Sequence, residues 1–171
     1  MAENPRDKIP MNATPTDNDD VKQVLENLIE IARDGQEGYR LAAEHAHDPG
    51  LKQAFIERSA RRSRFVSQLQ QLQTRYGQSE PDSSGSVTGG LHRAWINMRS
   101  VVSSREDQAI LEEAERGEDA AVEAYREALL HDPCLPEDAI RCVESQASAV
   151  KEDHDFMKRM RDSGRFDSHA G

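Results

Sequence analysis

The feature that most constrains the fold is the spacing of apolar residues, which recur at alternating steps of three and four along four segments of the chain. In the first segment, one such stripe consists of Leu25, Leu28, Ala32, Gly35, Tyr39, Ala42 and Ala46. Residues with this spacing lie on one side of an α-helix, which turns once in about 3.6 residues. The four segments therefore predict four long helices, each with one side to bury against the others.

Two Asp-Pro turns divide these segments into pairs. Asp48-Pro49-Gly50 follows the first segment and Asp132-Pro133 follows the third. Proline cannot continue the helical hydrogen-bond ladder, so a helix ends at each turn and the next one returns antiparallel. The sequence predicts two helical hairpins, with helices over about 20–47, 51–76, 106–131 and 136–162.

The connection between the hairpins is long. Residues Gln78 to Gly90 are polar and rich in Gly and Ser, which is typical of a flexible linker. The apolar stripe that follows predicts a short helix over about 90–102, and we expect Trp95 to pack against one end of the bundle. A long middle connection favours a four-helix bundle with one crossover over a simple up-down bundle.

The ends of the chain lack this periodicity. Residues 1–19 are polar and contain three prolines, which predicts a disordered tail, and residues 163–171 are expected to be frayed. A length of 171 residues suits one domain, which we place at residues 20–162. The fold class predicted from these patterns is an all-α four-helix bundle.

The net charge and the hydropathy of the chain argue against nucleic acid and membranes as partners. The net charge of -10 repels nucleic-acid phosphates and anionic lipid headgroups, so neither is expected as a partner. No apolar run approaches the roughly 20 residues of a membrane span, and the first residues lack the apolar core of a signal peptide. We expect a soluble, cytoplasmic protein that binds another protein or itself.

Two charged or titratable residues interrupt the apolar stripes. The stripe of the third predicted helix includes Glu118, and that of the fourth runs through Ile140, Val143, Ala147, Val150, His154 and Met157. Charged side chains are rarely buried unless they are paired or bound to metal. Glu118 and His154 are therefore the leading candidates for a functional site.

The sequence around Glu118 resembles a motif of known protein families. The stretch from Gly117-Glu118 to Tyr125 resembles the Gly-Glu-x6-Tyr signature of rubrerythrins and related ferritin-like proteins. Together with the stretches DGQEGYRLAAEHAHDPGLKQAF, SGSVTGGLHRAW and VKEDHDFMKRMRD, it resembles a bacterial ferritin-like four-helix-bundle family of unknown function. The resemblance implies a ferritin-like fold and a metal site, with Glu118 and His154 as ligands of iron or another divalent metal. It also implies a role in stress response.

The chain departs from that ligand pattern. A Glu-x-x-His pair ending at His154 needs a glutamate at position 151, where this chain has Lys151. Ala32 stands where the first helix needs a glutamate seven residues before Tyr39, and the second predicted helix contains no histidine. A full set of four carboxylates and two histidines cannot be assembled. Glu115 is the one neighbouring carboxylate that could join a partial site.

An ion pair offers an alternative explanation for the buried glutamate. Arg58 or Arg62 enters the buried side of the second helix at the level of Glu118, and a guanidinium can hold a carboxylate through two parallel hydrogen bonds. The hydroxyl groups of Tyr39 and Tyr125 could donate to the same cluster, which His154 could also join.

The sequence therefore leaves three functions open. A non-enzymatic accessory or stress-associated protein, with a degenerate metal site replaced by a buried polar cluster, is the preferred interpretation. A rubrerythrin-like di-iron oxidase or peroxidase, with Glu118, His154 and Glu115 as ligands, is the second. Storage of metal inside the bundle is the third.

Overall fold

A computed structural model of the chain describes residues 15–76, 95, 97–102, 106–131 and 135–167. Its helices, in chain order, are α1 (Pro15–His45), α2 (Pro49–Arg75), α3 (Met98–Val101), α4 (Asp107–His131) and α5 (Glu137–Asp162). The predicted all-α class is confirmed. The long helices begin and end within a few residues of the predicted positions.

The four long helices form a bundle of two hairpins. Helix α1 packs along α2, and α4 packs along α5. The hairpins meet through two further contacts, α1 with α4 and α2 with α5, and the short helix α3 lies against α1 and α4. Each long helix therefore buries its apolar side between two neighbours. Among the described residues, no helix has an apolar stretch suited to crossing a membrane.

The turn between α1 and α2 is anchored at both ends. The side chain of Asp48 caps α2 by accepting a hydrogen bond from the backbone N–H of Leu51 at 2.8 Å. The carboxylate of Asp107, the first residue of α4, accepts from the backbone N–H groups of His47 and Asp48, both at 2.8 Å. These bonds fix the first hairpin against the start of the second.

The ends of the chain differ from the expectation in two places. Helix α1 begins at Pro15, so residues 15–19 of the predicted tail are helical. After α5, Arg165 donates to Asp48 at 2.8 Å and Phe166 packs against the apolar core, where a frayed end was expected. The predicted linker from Gln78 to Gly90 and the Asp132-Pro133 turn lie outside the described residues, as do residues 90–94 and 96 of the predicted short helix.

Half of the predicted buried stripe of α5 is wrong. The buried residues of that helix are Ala139, Val143, Gln146, Val150, Asp153 and Met157, whereas Ile140, Ala147 and His154 are only partly buried. Val143, Val150 and Met157 are therefore buried as predicted, whereas each of the other three predicted positions lies one residue after the position that is buried. On α1, the predicted stripe from Leu25 to Ala46 is buried as expected, and so is Glu118 on α4.

The apolar core consists of two clusters. One lies between the first halves of α1 and α5 and the second halves of α2 and α4, and includes Leu25, Leu69 and Val143. The other occupies the opposite end of the bundle and includes Phe55 and Met157. Charged side chains separate the two clusters at the centre of the bundle.

Trp95 lies beside this charged region, not at one end of the bundle as predicted. Its indole ring is inserted between α1 and α4, where a Cβ atom on either Gly38 or Gly117 would overlap with it. The centroid of the indole ring lies 5.0 Å from that of the Tyr39 ring. The two glycines thus form a slot that accommodates the Trp95 ring between α1 and α4.

Candidate functional site: a buried charged layer

Five side chains at the centre of the bundle form what we call the buried charged layer. Four are charged, Arg58, Arg62, Glu118 and Asp153, and the fifth is the neutral Tyr39. Arg62 comes from α2, Glu118 from α4, Asp153 from α5 and Tyr39 from α1, and each is at most 1% exposed. All four long helices therefore contribute to one site, which no local segment of the sequence could form alone.

Arg62 lies between the two acids of the layer. Its Nη2 atom donates to both carboxylate oxygens of Glu118, at 2.6 and 2.5 Å, and lies 3.4 Å from Oδ2 of Asp153. The sequence predicted a fork of two parallel bonds, but a single nitrogen spans the Glu118 carboxylate. Nη1 is buried without a hydrogen-bond partner in the described part of the chain. One guanidinium is therefore divided between two carboxylates on different helices.

Gly35 makes room for the arginine. A Cβ atom at this position of α1 would lie 3.3 Å from Nε of Arg62 and 3.4 Å from its Cδ atom, closer than most atoms pack. The side chain of Arg62 therefore crosses α1 where that helix has no side chain. This contact explains why Gly35 occupies a position in the apolar stripe of α1.

The two buried tyrosines have different partners. The hydroxyl of Tyr39 donates to Oε1 of Glu118 at 2.7 Å, as expected for a member of the cluster. The hydroxyl of Tyr125 instead donates to Oε1 of Gln146 on α5 at 2.8 Å. The expectation that Tyr125 hydrogen-bonds within the cluster of Glu118 is therefore wrong, because Gln146 rather than Ala147 faces the core.

Asp153 is the member of the layer that was not predicted from the sequence. Its Oδ1 atom lies 3.1 Å from Nε of Arg58 and 3.0 Å from Nη1 of Arg61. With Arg62, three arginines of α2 therefore surround one carboxylate of α5. The cluster Arg58, Arg61 and Arg62 was the available signal, since buried guanidinium groups require an acid on a facing helix.

Two of these arginines extend the layer toward the surface between α2 and α5. The guanidinium carbon of Arg58 lies 3.8 Å from the centroid of the Phe156 ring, within the range of a cation–π contact. The side chain of Arg61 is 35% exposed. The α2–α5 side of the layer is thus covered by Arg61 and Phe156, and the α1–α4 side by Trp95.

His154 lies outside the layer, contrary to the prediction that it faces the interior. Its Nε2 atom lies 2.9 Å from Oδ1 of Asp119 on α4, and its Nδ1 atom lies 3.1 Å from Oδ1 of Asp155. The side chain is 19% exposed, and that of Asp119 is 65% exposed. His154 therefore bridges α5 to α4 near the surface.

The three predicted metal ligands are not brought together. Glu115 forms an ion pair with Arg161 of α5, Glu118 binds Arg62, and His154 contacts the two surface aspartates. Within the described ranges, no group of three or more His, Cys, Asp or Glu side chains is placed to hold a metal ion. The carboxylate of Glu118 is bound to the positively charged guanidinium of Arg62, which repels metal cations.

The pKa values in the layer follow from burial and charge. Burial, and then the charge of Glu118, raises the pKa of Tyr39 well above its usual value, so the hydroxyl remains a donor. Burial opposes the charge of Arg62, but Glu118, Tyr39 and Asp153 raise its pKa above that of a free arginine. Burial raises the pKa of Asp153, against the three arginines that lower it.

This arrangement suits a structural link more than a reaction. The carboxylate of Glu118 accepts from Arg62 and Tyr39, and that of Asp153 faces three arginines, so neither acid is free to act as a base. Together these contacts join four helices at a single level of the bundle. Since a buried ion pair often adds little net stability, its clearest effect is to fix how the helices align.

Fold and site define an all-α helical bundle with an arginine–carboxylate layer between two apolar clusters. The chain belongs to the family described as Domain of unknown function (DUF2383), whose model matches residues 20–131. The match includes α1 from residue 20 onward, α2, α3 and α4, and therefore Tyr39, Arg62 and Glu118. No curated protein matches the chain.

Proposed function

We propose that this chain is a ferritin-like bundle in which an arginine occupies the place of a metal centre, and that it acts as a non-enzymatic accessory protein. It would work in the cytoplasm by binding a protein partner or a second copy of itself. A role in stress response is part of this proposal through the resemblance of the stretch from Gly117-Glu118 to Tyr125 to the rubrerythrin signature.

The single observation that carries the proposal is the position of Arg62. In ferritin-like proteins with two metals, carboxylates from facing helices converge on the metals in the core of the bundle. Here Glu118 and Asp153 converge in the same way, but on a guanidinium that supplies the positive charge. An arginine therefore replaces the cation and leaves no coordination site for a metal between these two acids.

The hydrogen bonds of the layer argue against the rival oxidase. A di-iron enzyme needs carboxylates that can bind metal and an open position for oxygen or peroxide. Both oxygens of Glu118 contact Arg62, and Oε1 also accepts from Tyr39. Metal binding would require the displacement of Arg62 from a site in which its pKa is raised.

Elemental analysis tests this proposal. The protein, purified without chelator, is analysed for iron, manganese and zinc, together with Glu118→Ala and Glu112→Ala. Glu112 is exposed on the same helix as Glu118 and serves as the control. We expect less than stoichiometric metal in all three proteins.

One pattern would refute the proposal. Stoichiometric iron or manganese in the wild type and in Glu112→Ala, lost in Glu118→Ala, would mean that Glu118 binds metal. The oxidase or storage function would then replace the accessory role.

A further inference from the structure

A groove runs along the outer surface of the first hairpin, between α1 and α2. Its volume is about 560 Å³, and four of the residues that line it have small side chains: Ala43 of α1 and Ser59, Ala60 and Ser63 of α2. Small side chains let another helix approach closely. The hydroxyl of Ser59 donates to the backbone oxygen of Gln36 at 2.9 Å. This hydroxyl therefore has a hydrogen-bond acceptor inside the hairpin and does not need one from a partner.

An exposed apolar side chain lies in this groove. Ile56 is 47% exposed, and the only other large apolar side chain so exposed in the described part of the chain is Leu130, at 63%. Ile56 and Ala60 are four residues apart on α2 and therefore lie on the same side of that helix. One face of the hairpin thus carries both a projecting apolar side chain and a depression of small residues.

The charges beside the groove are balanced, although the whole chain carries a net charge of -10. Arg40 and Lys52 line the groove together with Glu44. Arg40 also binds Glu37, with an Nη2–Oε1 distance of 2.7 Å. Arg40, Lys52, Glu37 and Glu44 together leave the groove without net charge, so two copies can meet there without the repulsion that an acidic surface would cause.

The size of this face fits a dimer. Helices α1 and α2 have 31 and 27 residues, and their shared length is therefore about 40 Å. Two packed helices are about 20 Å wide, which gives a face of about 800 Å². A stable protein interface buries about this area on each partner.

From these four observations, we propose that a second copy of this chain docks at the α1–α2 groove and forms a two-fold symmetric homodimer. Ile56 of each copy fills the depression beside Ala60 and Ser63 of the other. A two-fold axis requires the same face on both partners, and this face carries both the projecting side chain and the depression. The inference rests on the proposed function, because it names the partner of the accessory protein.

Light scattering coupled to size-exclusion chromatography tests the dimer on the full chain. The wild type is expected to have twice the mass of the monomer at micromolar concentration. Ile56→Glu places two like charges across the axis and should weaken the dimer by about tenfold or more. Ala60→Glu is a second variant in the same groove and should give the same result.

Leu130→Glu is the matched control, since it adds the same charge at the other exposed apolar residue. It is expected to leave the dimer unchanged, with circular dichroism showing that all variants fold. A monomeric wild type overturns the dimer, and a dimer that Leu130→Glu weakens as much as Ile56→Glu overturns its placement at the α1–α2 groove. Either result leaves the proposed function standing, since that function depends on the metal content and not on the mass.

Discussion

Glu118→Gln tests most simply how much the buried charged layer contributes to stability, because glutamine keeps the shape of the side chain and removes its charge. The remaining oxygen can still accept from Tyr39, but the new amide group turns hydrogens toward Nη2 of Arg62, which also carries hydrogens. A hydrogen bond to a charged group contributes about 1.5–3 kcal/mol. Arg62 keeps its bond to the remaining oxygen, at 2.6 Å, and its contact with Asp153, at 3.4 Å, but it loses the second bond and the charge of Glu118, so we expect a loss of about 1.5–3 kcal/mol in the free energy of unfolding.

Urea denaturation gives this free energy, with the fluorescence of Trp95, the sole tryptophan, and circular dichroism as two independent signals. Glu113→Gln is the control. Glu113 is also buried, at 6% exposure, but its partner Arg116 is 49% exposed, so the loss should stay below about 1 kcal/mol. Equal losses in the two variants, or a negligible loss in Glu118→Gln, would refute the reasoning.

Two further predictions concern the α1–α4 side of the layer. Gly117→Ala should expel the Trp95 ring from its slot, with a red-shifted emission spectrum and a loss of about 1–3 kcal/mol in the free energy of unfolding. An unchanged emission spectrum would contradict the close contact. At alkaline pH, Tyr39 should stay protonated in the folded protein, while the same residue ionises near pH 10 in the unfolded chain. The contribution of Tyr39 to the free energy of unfolding is therefore fully present below pH 10. Above pH 10, this contribution falls by about 1.4 kcal/mol per pH unit. Denaturation between pH 9 and 11 should show a shallower fall in Tyr39→Phe, and absorbance of ionised Tyr39 near pH 10 in the native protein would contradict the prediction.

The helices could be predicted from the sequence because their signals are local. Steps of three and four place the stripe from Leu25 to Ala46 on one side of α1, and the Asp48-Pro49 turn ends that helix and caps the next. The buried position of Glu118 also followed from such a stripe. These features depend on residues close in sequence, which determine the local geometry.

The buried side of α5 could not be chosen in the same way. Val143, Val150 and Met157 are seven residues apart, and the positions on either side of them can complete a stripe equally well by spacing. Ile140 and Ala147 are more apolar than the alternatives, so the sequence favoured the side that includes His154. The arginines of α2 determine which side of α5 is buried, because they require the carboxylate of Asp153 as a partner.

The position of Trp95 depends on contacts between distant segments. Glycine inside a helix costs about 1 kcal/mol relative to alanine, so Gly38 and Gly117 indicate that something approaches both helices closely. Nothing in the local sequence indicates that the same ring lies against both. The slot becomes visible only when α1 and α4 are placed side by side.

The central claim is that Arg62 and Glu118 stabilise each other at the centre of the bundle, and a double-mutant cycle tests it most directly. Unfolding free energies are measured for the wild type, Arg62→Met, Glu118→Leu and the double variant. Each single change leaves a buried charge without its main partner and should cost about 3–5 kcal/mol, whereas the double variant should cost at least 2 kcal/mol less than the sum of the two. Additive losses would show that the two side chains are energetically independent, and the account of the layer would be wrong.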